Sequence, residues 1–405
     1  MNNLTVPRVL ESLPRPAHVP AAIGCQPACR GGPKPTGCAA VPSSSTERDA
    51  IPASSRAGRV DGQAAHGSEG SPGRGPSVSA SPIEAPEVTV VIPARNEAAS
   101  IGPCLESVLS QSFQRMQIIV VDGASSDGTA AVVRSYQERD ARVQLLENDR
   151  AIIPVSLNQA LAAARGRWLI RIDAHATVPA DYVAALVRHL ESGTWGGVGG
   201  RKDGVGTTSQ GQAVALAMGS PFGVGNSLYH YATSPQDVDH IPFGAYPVEL
   251  ARRLGGWNEH LRVNQDFEFD FRVRKAGYKL LLDPTIVVRW NCQQSIPGLF
   301  RQYLRYGRGK ARVARLHPDS VKARHLAAPT LLASWSAALL FTIAGKRRVA
   351  ATMVAPYAAG VIGASIWTGR RAPRLAVACH LPGAFVAMHV GWAIGFWRGI
   401  WGRDE

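Results

Sequence analysis

The stretch VTVVIPARNE, residues 88–97, runs from an apolar segment into a polar one, and the chain repeats this pattern. The apolar runs QIIVVD (117–122) and WLIRID (168–173) also lead into polar residues, and segments with helical apolar periodicity, such as 101–109, lie between the runs. Strands that alternate with helices in this way are typical of an α/β domain with a largely parallel sheet. The sequence therefore predicts such a domain over residues 86–321.

The N-terminal segment has a different composition. Residues 1–85 are rich in Pro, Gly, Ser and Ala and contain almost no aromatic residues. Because such a segment cannot bury enough apolar surface to offset the loss of chain entropy, we expect a disordered tail. It lacks the apolar core of a secretory signal, so we expect the folded part to begin in the cytoplasm. Its cysteines, Cys25, Cys29 and Cys38, lack a fourth ligand for a closed zinc site.

The C-terminal segment is both the most basic and the most apolar. Of the formal net charge of +14, +8 lies in residues 322–405. Three apolar stretches there, 326–345, 349–369 and 375–397, are each close to the ~20 residues that span a hydrocarbon core. The basic amphipathic segment 298–316 precedes them. We expect a membrane-associated region with two or three apolar helices rather than a nucleic-acid-binding one, with buried helices of a soluble domain as the alternative.

Three polar motifs follow predicted strands: PARNE (93–97), DGASSDGT (122–129) and DAH (173–175). In an open parallel sheet, ligands bind outside the carboxyl ends of the strands. The sequence has no G-x-G-x-x-G after the first strand and no G-x-x-x-x-G-K-[ST], which argues against an NAD-binding protein and a P-loop NTPase. These motifs therefore indicate a nucleotide site with a carboxylate after the second strand and a candidate metal ligand after the fourth.

Four segments together resemble the family-2 glycosyltransferases with the GT-A fold, in particular the membrane-associated enzymes of exopolysaccharide assembly of the succinoglycan type. The resemblance covers residues 86–320 in the family's order. It implies a GT-A nucleotide-diphospho-sugar transferase fold, a mostly parallel sheet flanked by helices, followed by C-terminal membrane helices. The segments are VVIPARNEAASIGPCLESVLSQ (90–111), IIVVDGASSDGTAAVV (118–133), NQALAAARGRWLIRIDAH (158–175) and VNQDFEFDFRVRKAGY (263–278).

The resemblance implies a set of donor-binding residues. Pro93, Asn96 and Glu97 would line the nucleotide pocket, and Asp122 would accept a hydrogen bond from the base, in the first place uracil. Asp173 stands at the first aspartate of the family's D-x-D motif, which holds Mg²⁺ or Mn²⁺ against the diphosphate.

The resemblance also implies a catalytic base. Asp266, in NQDFE, stands where the family places the general base of an inverting transfer. An acceptor hydroxyl is a poor nucleophile at neutral pH, so one positioned carboxylate should take its proton. Glu268 and Asp270 lie on the same segment and are rivals for this role.

A further element lies downstream. Gln302, Arg305 and Tyr306, in QYLRY, resemble the Q-x-x-R-W element that stabilises the leaving group and the acceptor. An arginine there would stabilise the charge that develops on a diphosphate as the glycosidic bond breaks.

The chain departs from the family pattern at two positions. His175 replaces the second aspartate of D-x-D, and it is either a metal ligand, which would favour Mn²⁺ over Mg²⁺, or a hydrogen-bond donor to phosphate. Leu157 stands where many relatives have an arginine that reaches the phosphate, so Arg150 or another basic side chain is the candidate substitute.

The segment 240–261 resembles the wall of the acceptor site. Trp257 either stacks on a sugar or is buried. His230 and His240 are assigned no role, because a lone histidine near an aromatic residue is usually structural.

The sequence thus predicts an inverting glycosyltransferase at the cell membrane with a cytoplasmic catalytic domain. It would move a hexose from a nucleoside diphosphate sugar to a lipid-linked or polysaccharide acceptor in exopolysaccharide or cell-envelope glycan synthesis. A UDP-sugar is the first candidate for the donor. The alternatives are a processive polysaccharide synthase, for which the apolar spans are too few to build a polymer channel, and a non-catalytic sugar-nucleotide-binding membrane scaffold.

Overall fold

The protein is described by a computed structural model that covers residues 85–402. The tail predicted over residues 1–85, apart from residue 85, and its three cysteines lie outside the described residues. Within residues 85–402 the strands are β1 (Val88–Ala94), β2 (Met116–Asp122), β3 (Val143–Glu147), β4 (Trp168–Arg171), β5 (Ala176–Thr177), β6 (Trp195–Val205), β7 (Gln236–Val238), β8 (Ala245–Pro247) and β9 (Lys279–Asn291).

The α-helices alternate with these strands and then continue alone to the end of the described chain. They are α1 (Ile101–Leu109), α2 (Thr129–Arg139), α3 (Ile153–Ala163), α4 (Tyr182–Glu191), α5 (Ser209–Met218), α6 (Pro221–Val224), α7 (Val248–Arg253), α8 (Gln265–Lys275), α9 (Ile296–Leu316), α10 (Ala323–Ile343), α11 (Arg347–Gly369), α12 (Leu375–Ala378) and α13 (Leu381–Trp401). Short 3₁₀ turns occur at Leu228–His230 and Pro318–Ser320.

The strands form one mixed sheet in the order β3-β2-β1-β4-β8-β6-β9-β5, with β7 also paired to β9. The first four strands are parallel, as the alternating pattern predicted. Beyond β4 the sheet is mixed, because β8 runs antiparallel to both β4 and β6, whereas β6 and β9 are parallel. Strands β5, β7 and β8 are only two or three residues long, so no periodic pattern marks them in the sequence.

The central strands are buried on both faces, which explains why they read as continuous apolar runs. Val90 and Ile92 of β1 pack into a core with α1, α2 and α4, whereas Val91 packs into a second core with α3, α7 and α8. This arrangement fixes the carboxyl ends of β1, β2 and β4 along one edge of the sheet.

The C-terminal helix α13 packs along α9 through a row of glycines. An added Cβ at Gly395 would lie 2.1 Å from the carbonyl oxygen of Leu304, and one at Gly307 would lie 2.1 Å from that of Trp392. Gly391 and Gly399 make similar close approaches to α9. Small residues at a four-residue spacing let two helix backbones come this close. This row of glycines therefore lets α13 pack directly on α9, the helix that follows the last strand of the sheet.

The helix α10 contains a proline whose effect is offset by α13. Pro329 has no N–H to bond the carbonyl of His325 one turn earlier. The indole Nε1 of Trp392 donates to that carbonyl at 3.3 Å, and Trp397 Nε1 donates to the carbonyl of Pro329 at 3.1 Å. Indole donors on α13 thus satisfy backbone acceptors on α10, which matters most where water is scarce.

Within residues 85–402, three segments are long and apolar enough to cross a membrane: α10, α11 and the segment Leu375–Trp401. The three apolar stretches read from the sequence are therefore helical. The third segment differs from the others, because it is interrupted between α12 and α13. In its 18-residue apolar stretch 44% is buried, against 11% in the corresponding stretches of α10 and α11. Large apolar side chains of α10 and α11, such as Leu340 and Trp367, face outward.

Candidate active site

A cavity of about 860 Å³ opens beside the carboxyl ends of the central strands. Its polar part is lined by residues that the sequence placed far apart, and its apolar part by the C-terminal helices. The polar lining includes Asp173, His175, Lys202, Asp266, Gln302, Arg305 and Tyr306. The apolar lining includes Ala327, Ala328, Leu331, Tyr357, Met388 and Trp392.

The loops after β1 and β2 interlock into one platform beside this cavity. The backbone N–H of Ser126 donates to Asn96 Oδ1 at 2.9 Å, and the N–H of Asn96 donates to Ser125 Oγ at 2.9 Å. The N–H of Glu97 donates to Thr129 Oγ1 at 2.8 Å. The two motifs therefore lie together as expected, although Pro93, Asn96, Glu97 and Asp122 are not among the residues that line the cavity itself.

Asp122, at the end of β2, carries an oxygen without a partner. Its Oδ2 accepts a hydrogen bond from the N–H of Ser125 at 3.0 Å, whereas its Oδ1 is buried with no hydrogen-bond partner within residues 85–402. A buried acceptor left unpaired costs free energy unless a ligand donates to it. The Oδ1 atom of Asp122 is thus a candidate acceptor for an N–H of a bound ligand.

Arg171, for which the sequence predicted no role, holds the polar end of the cavity together. This arginine is buried on β4, and its Nη2 lies 2.8 Å from Asp173 Oδ1 while its Nη1 pairs with Asp266 Oδ2. Burial opposes its charge, but the two carboxylates raise the pKa of Arg171 above its ordinary value. A charged residue inside an otherwise apolar strand was the signal that could have identified it.

Asp173 and His175, the predicted metal pair, both line the polar part of the cavity. Arg171 occupies only Oδ1 of Asp173, and His175 uses Nδ1 to contact Glu97 Oε1 at 3.0 Å. Among residues 85–402, Asp173 Oδ2 and His175 Nε2 therefore remain as candidate metal ligands. In the described part of the chain, no group of three or more His, Cys, Asp or Glu side chains is arranged around a metal site. Two protein donors fit a divalent ion that takes its other ligands from substrate phosphates and water.

The charges around these two residues act on their protonation. Burial alone would raise the pKa of Asp173, but the positive charges of Arg171, His175 and Lys202 lower it below its usual value. Burial opposes the charge of His175, but its hydrogen bond to Glu97 and the charge of Asp173 raise its pKa above the usual value.

Lys202 on β6 is a second cation that sequence reasoning missed. Its Nζ lies 3.8 Å from the centroid of the Trp290 ring and 4.6 Å from that of Phe243. Burial lowers the pKa of Lys202 to about 8, although the nearby charge of Asp173 opposes this shift. Arg150, the candidate substitute for the missing arginine, pairs with Glu259 and does not line the cavity. Lys202 is therefore the better placed of the two to meet a phosphate.

The three carboxylates of α8 have separate environments. Glu268 is buried and pairs with Arg272 Nε at 2.7 Å and His317 Nε2 at 3.0 Å, and Asp270 is fully buried. Asp266 lines the cavity with its side chain 26% exposed. Its pairing with Arg171 uses Oδ2, so Oδ1 faces no hydrogen-bond partner within residues 85–402. Of the three candidates, only Asp266 is open to a substrate in the cavity.

The helix α9 brings QYLRY to the same cavity. Gln302 Nε2 donates to the hydroxyl of Tyr306 at 2.9 Å, and Gln302 Oε1 is buried with no partner among the described residues. Asn264 Nδ2 donates to the carbonyl of Tyr306 at 3.2 Å, which ties α9 to the start of α8. Arg305 also lines the cavity.

Trp257 is structural. It is buried, and its ring stacks on Phe269 with centroids 4.5 Å apart. The structure therefore supports a buried Trp257 rather than one that stacks on a sugar.

The sequence profile described as Glycosyl transferase family 2 matches residues 89–253. The succinoglycan biosynthesis protein ExoA of Rhizobium meliloti (strain 1021) is 32% identical to this chain over 315 residues, which are 76% of this chain and 93% of ExoA. This chain therefore belongs to glycosyltransferase family 2 and is a glycosyltransferase.

More distant similarities agree with this assignment. The dolichyl N-acetyl-alpha-D-glucosaminyl phosphate 3-beta-D-2,3-diacetamido-2,3-dideoxy-beta-D-glucuronosyltransferase of Methanococcus voltae is 24% identical over 238 residues, 56% of this chain and 74% of that protein. The mannosyltransferase PcManGT from Pyrobaculum calidifontis, solved in complex with GDP-Man and Mn²⁺, has a TM-score of 0.53 at 23% identity over 79% of this chain and 88% of that one. The predicted GT-A fold is confirmed.

Proposed function

We propose that this protein is an inverting, membrane-bound hexosyltransferase that moves a sugar from a nucleoside diphosphate sugar to a lipid-linked acceptor. The observation that carries the proposal is the continuity of the cavity. One end holds Asp173 and Asp266, and the other is lined by apolar side chains of α10, α11 and α13. An amphiphile with a sugar at one end and a lipid at the other suits such a cavity.

The donor nucleotide is assigned to the edge formed by β1, β2 and β4. Pro93, Asn96 and Glu97 would contact the nucleoside, and the unpaired Oδ1 of Asp122 would accept a hydrogen bond from the base. Asp173 and His175 would hold Mn²⁺ or Mg²⁺. Such an ion supplies positive charge that stabilises a diphosphate leaving group.

The remaining polar side chains are assigned to the transfer step. An acceptor hydroxyl oxygen attacks C1 of the donor sugar, the bond from C1 to the diphosphate oxygen breaks, and its electron pair leaves with the diphosphate. Asp266 takes the hydroxyl proton. Arg305, Lys202 and the pair of Gln302 and Tyr306 line the cavity where they would meet the departing diphosphate and the acceptor.

The pathway is proposed from a relative, and the location from the apolar helices. The likeness to a succinoglycan biosynthesis protein supports a role in exopolysaccharide or cell-envelope glycan synthesis. The three candidate spans within residues 85–402 support a membrane location. The sheet domain is proposed to lie in the cytoplasm. Addition of single sugars is favoured over processive polymerisation, because the few apolar helices give little material for a polymer channel. A nucleic acid partner is not part of the proposal.

A screen of UDP- and GDP-sugars against membrane lipid extract, with Mn²⁺ and Mg²⁺ compared and the product linkage determined by NMR, tests this function. GDP-sugars are included because PcManGT was solved with GDP-Man. We expect transfer from one UDP-hexose with inversion at C1, loss of activity after chelation, and recovery with a divalent ion. Full activity in EDTA would rule out the metal pair, and transfer to a lipid-free glycan alone would rule out the lipid-linked acceptor.

The role of Asp266 is tested by Asp266→Asn. Removing a general base should lower kcat by about 10²- to 10⁴-fold while UDP binding is kept. Asp319→Asn, which changes an exposed carboxylate outside the cavity, is the control and should retain activity. A near wild-type rate for Asp266→Asn would remove Asp266 as the base.

A further inference from the structure

A histidine and a buried aspartate form a pair at the wall of the cavity. His240 Nδ1 lies 2.7 Å from Oδ2 of Asp270, which has no solvent exposure. Asp270 also accepts from the N–H of Ile241 at 2.9 Å and from the hydroxyl of Tyr246 at 2.7 Å. With both oxygens bonded in this way, the carboxylate is fixed and cannot itself meet a substrate.

The pair sets the chemistry of the histidine face that is turned to the cavity. A carboxylate only accepts hydrogen bonds, so Nδ1 of His240 must carry the proton. In the neutral imidazole, Nε2 then presents a lone pair. His240 lines the cavity, its side chain is 19% exposed, and Nε2 meets no hydrogen-bond partner within residues 85–402. The ring is thus an oriented hydrogen-bond acceptor with one open side.

The position of His240 links it, through Phe267, to the helices that line the apolar part of the cavity. Its ring packs against Phe267, the residue after Asp266, with centroids 5.8 Å apart. Phe267 in turn contacts His325 of α10 at 5.7 Å and Lys310 of α9 at 3.6 Å. His240 therefore lies beside Phe267, which also contacts side chains of α9 and α10.

We propose that Nε2 of His240, held by Asp270, is a subsite for a hydroxyl group of the acceptor's terminal sugar. This inference rests on the proposed function. The bond orients the sugar ring so that the attacking hydroxyl reaches Asp266. A fixed acceptor in such a site disfavours sugars that lack the matching hydroxyl, because its lone pair is then left unpaired. The pair thus sets acceptor specificity while Asp266 takes the proton.

The test is His240→Asn, assayed with the active UDP-sugar against titrated membrane lipid extract. The amide nitrogen of asparagine can replace Nδ1 in the bond to Asp270, but nothing replaces Nε2. We expect the half-saturating amount of extract to rise about tenfold, the scale of one lost hydrogen bond in a buried site, with the KM of the donor and UDP binding unchanged. His240→Gln, whose longer amide reaches toward the Nε2 position, should restore part of the loss.

His317→Gln is the matched control. His317 also pairs with a buried carboxylate, Glu268, at 3.0 Å, but it does not line the cavity. Its glutamine variant keeps that bond and should leave the extract titration unchanged. If the wild-type protein transfers no sugar, the proposed function fails. If it does, an unchanged titration in His240→Asn, a raised donor KM instead, or no recovery in His240→Gln overturns this inference alone.

Discussion

The two ends of the cavity are built in opposite ways. At the polar end, buried Arg171 joins Asp173 to Asp266, so charged groups fix each other's positions. At the apolar end, side chains such as Ala328 and Leu331 line the cavity without polar bonds, on a helix whose outer face exposes large apolar residues. The polar end is therefore preorganised by electrostatics, whereas the apolar end depends on helix packing and on the surroundings of the helices.

The packing of the C-terminal helices shows the same contrast. Helix α13 packs closely on α9 through its row of glycines. In α10 and α11, by contrast, only 11% of the 18-residue apolar stretch is buried. Such exposed apolar surface is costly in water and natural in lipid. The difference indicates that α13 packs as part of the folded domain, while α10 and α11 are the parts most suited to face a bilayer.

The largest effect is expected from breaking the polar end. Arg171→Met would leave Asp173 and Asp266 without their shared counter-charge, and removing one partner of a buried ion pair costs about 3–5 kcal/mol. We expect a strong loss of thermal stability in detergent. Arg142→Met, which breaks a more exposed pair with Asp140 at 2.8 Å, should cost under about 1 kcal/mol. Equal losses in the two variants would contradict the proposed importance of Arg171.

A smaller and more selective effect is expected from filling the apolar end. Ala328→Trp would place an indole in the cavity between the C-terminal helices. The half-saturating amount of lipid extract should rise by about tenfold, comparable to the loss of one good contact, with UDP binding unchanged. Ala333→Trp adds the same side chain to an exposed position of α10 outside the cavity and should have no such effect. If both variants behave alike, the acceptor lipid does not use this end.

The smallest effect is expected at the boundary between the two ends, at Lys310. Burial and the charge of Arg324 lower the pKa of Lys310 to about 7, from an ordinary value of 10.5. Between these values the unfolded chain binds a proton that the folded one lacks, so this group makes stability rise as pH increases from about 7 to 10. The melting temperature of the wild type, relative to that of Lys310→Met, should therefore rise by a few degrees between pH 7 and pH 9. A constant difference across that range would show that Lys310 does not titrate there.

Much of the site was predictable because it follows local rules. Continuous apolar runs marked β1, β2 and β4, and the polar residues after them had to share one edge of the sheet. The preference for Asp266 over Glu268 and Asp270 agrees with their exposure in the structure. The glycine row on α13, spaced four residues apart in GWAIGFWRG, was present in the sequence, but its meaning needed a partner helix.

The sequence by itself determined the class of fold, the order of the motifs and the carboxylates that we propose for the site, because these depend on periodicity and on the ends of strands. Only the tertiary structure decided which charges neutralise each other and which side chains share the cavity. Arg171 meets Asp266, 95 positions later, and His240 meets Asp270, 30 positions later. Such pairings depend on distances of a few ångströms in a medium of low dielectric constant, and sequence spacing carries no record of those distances.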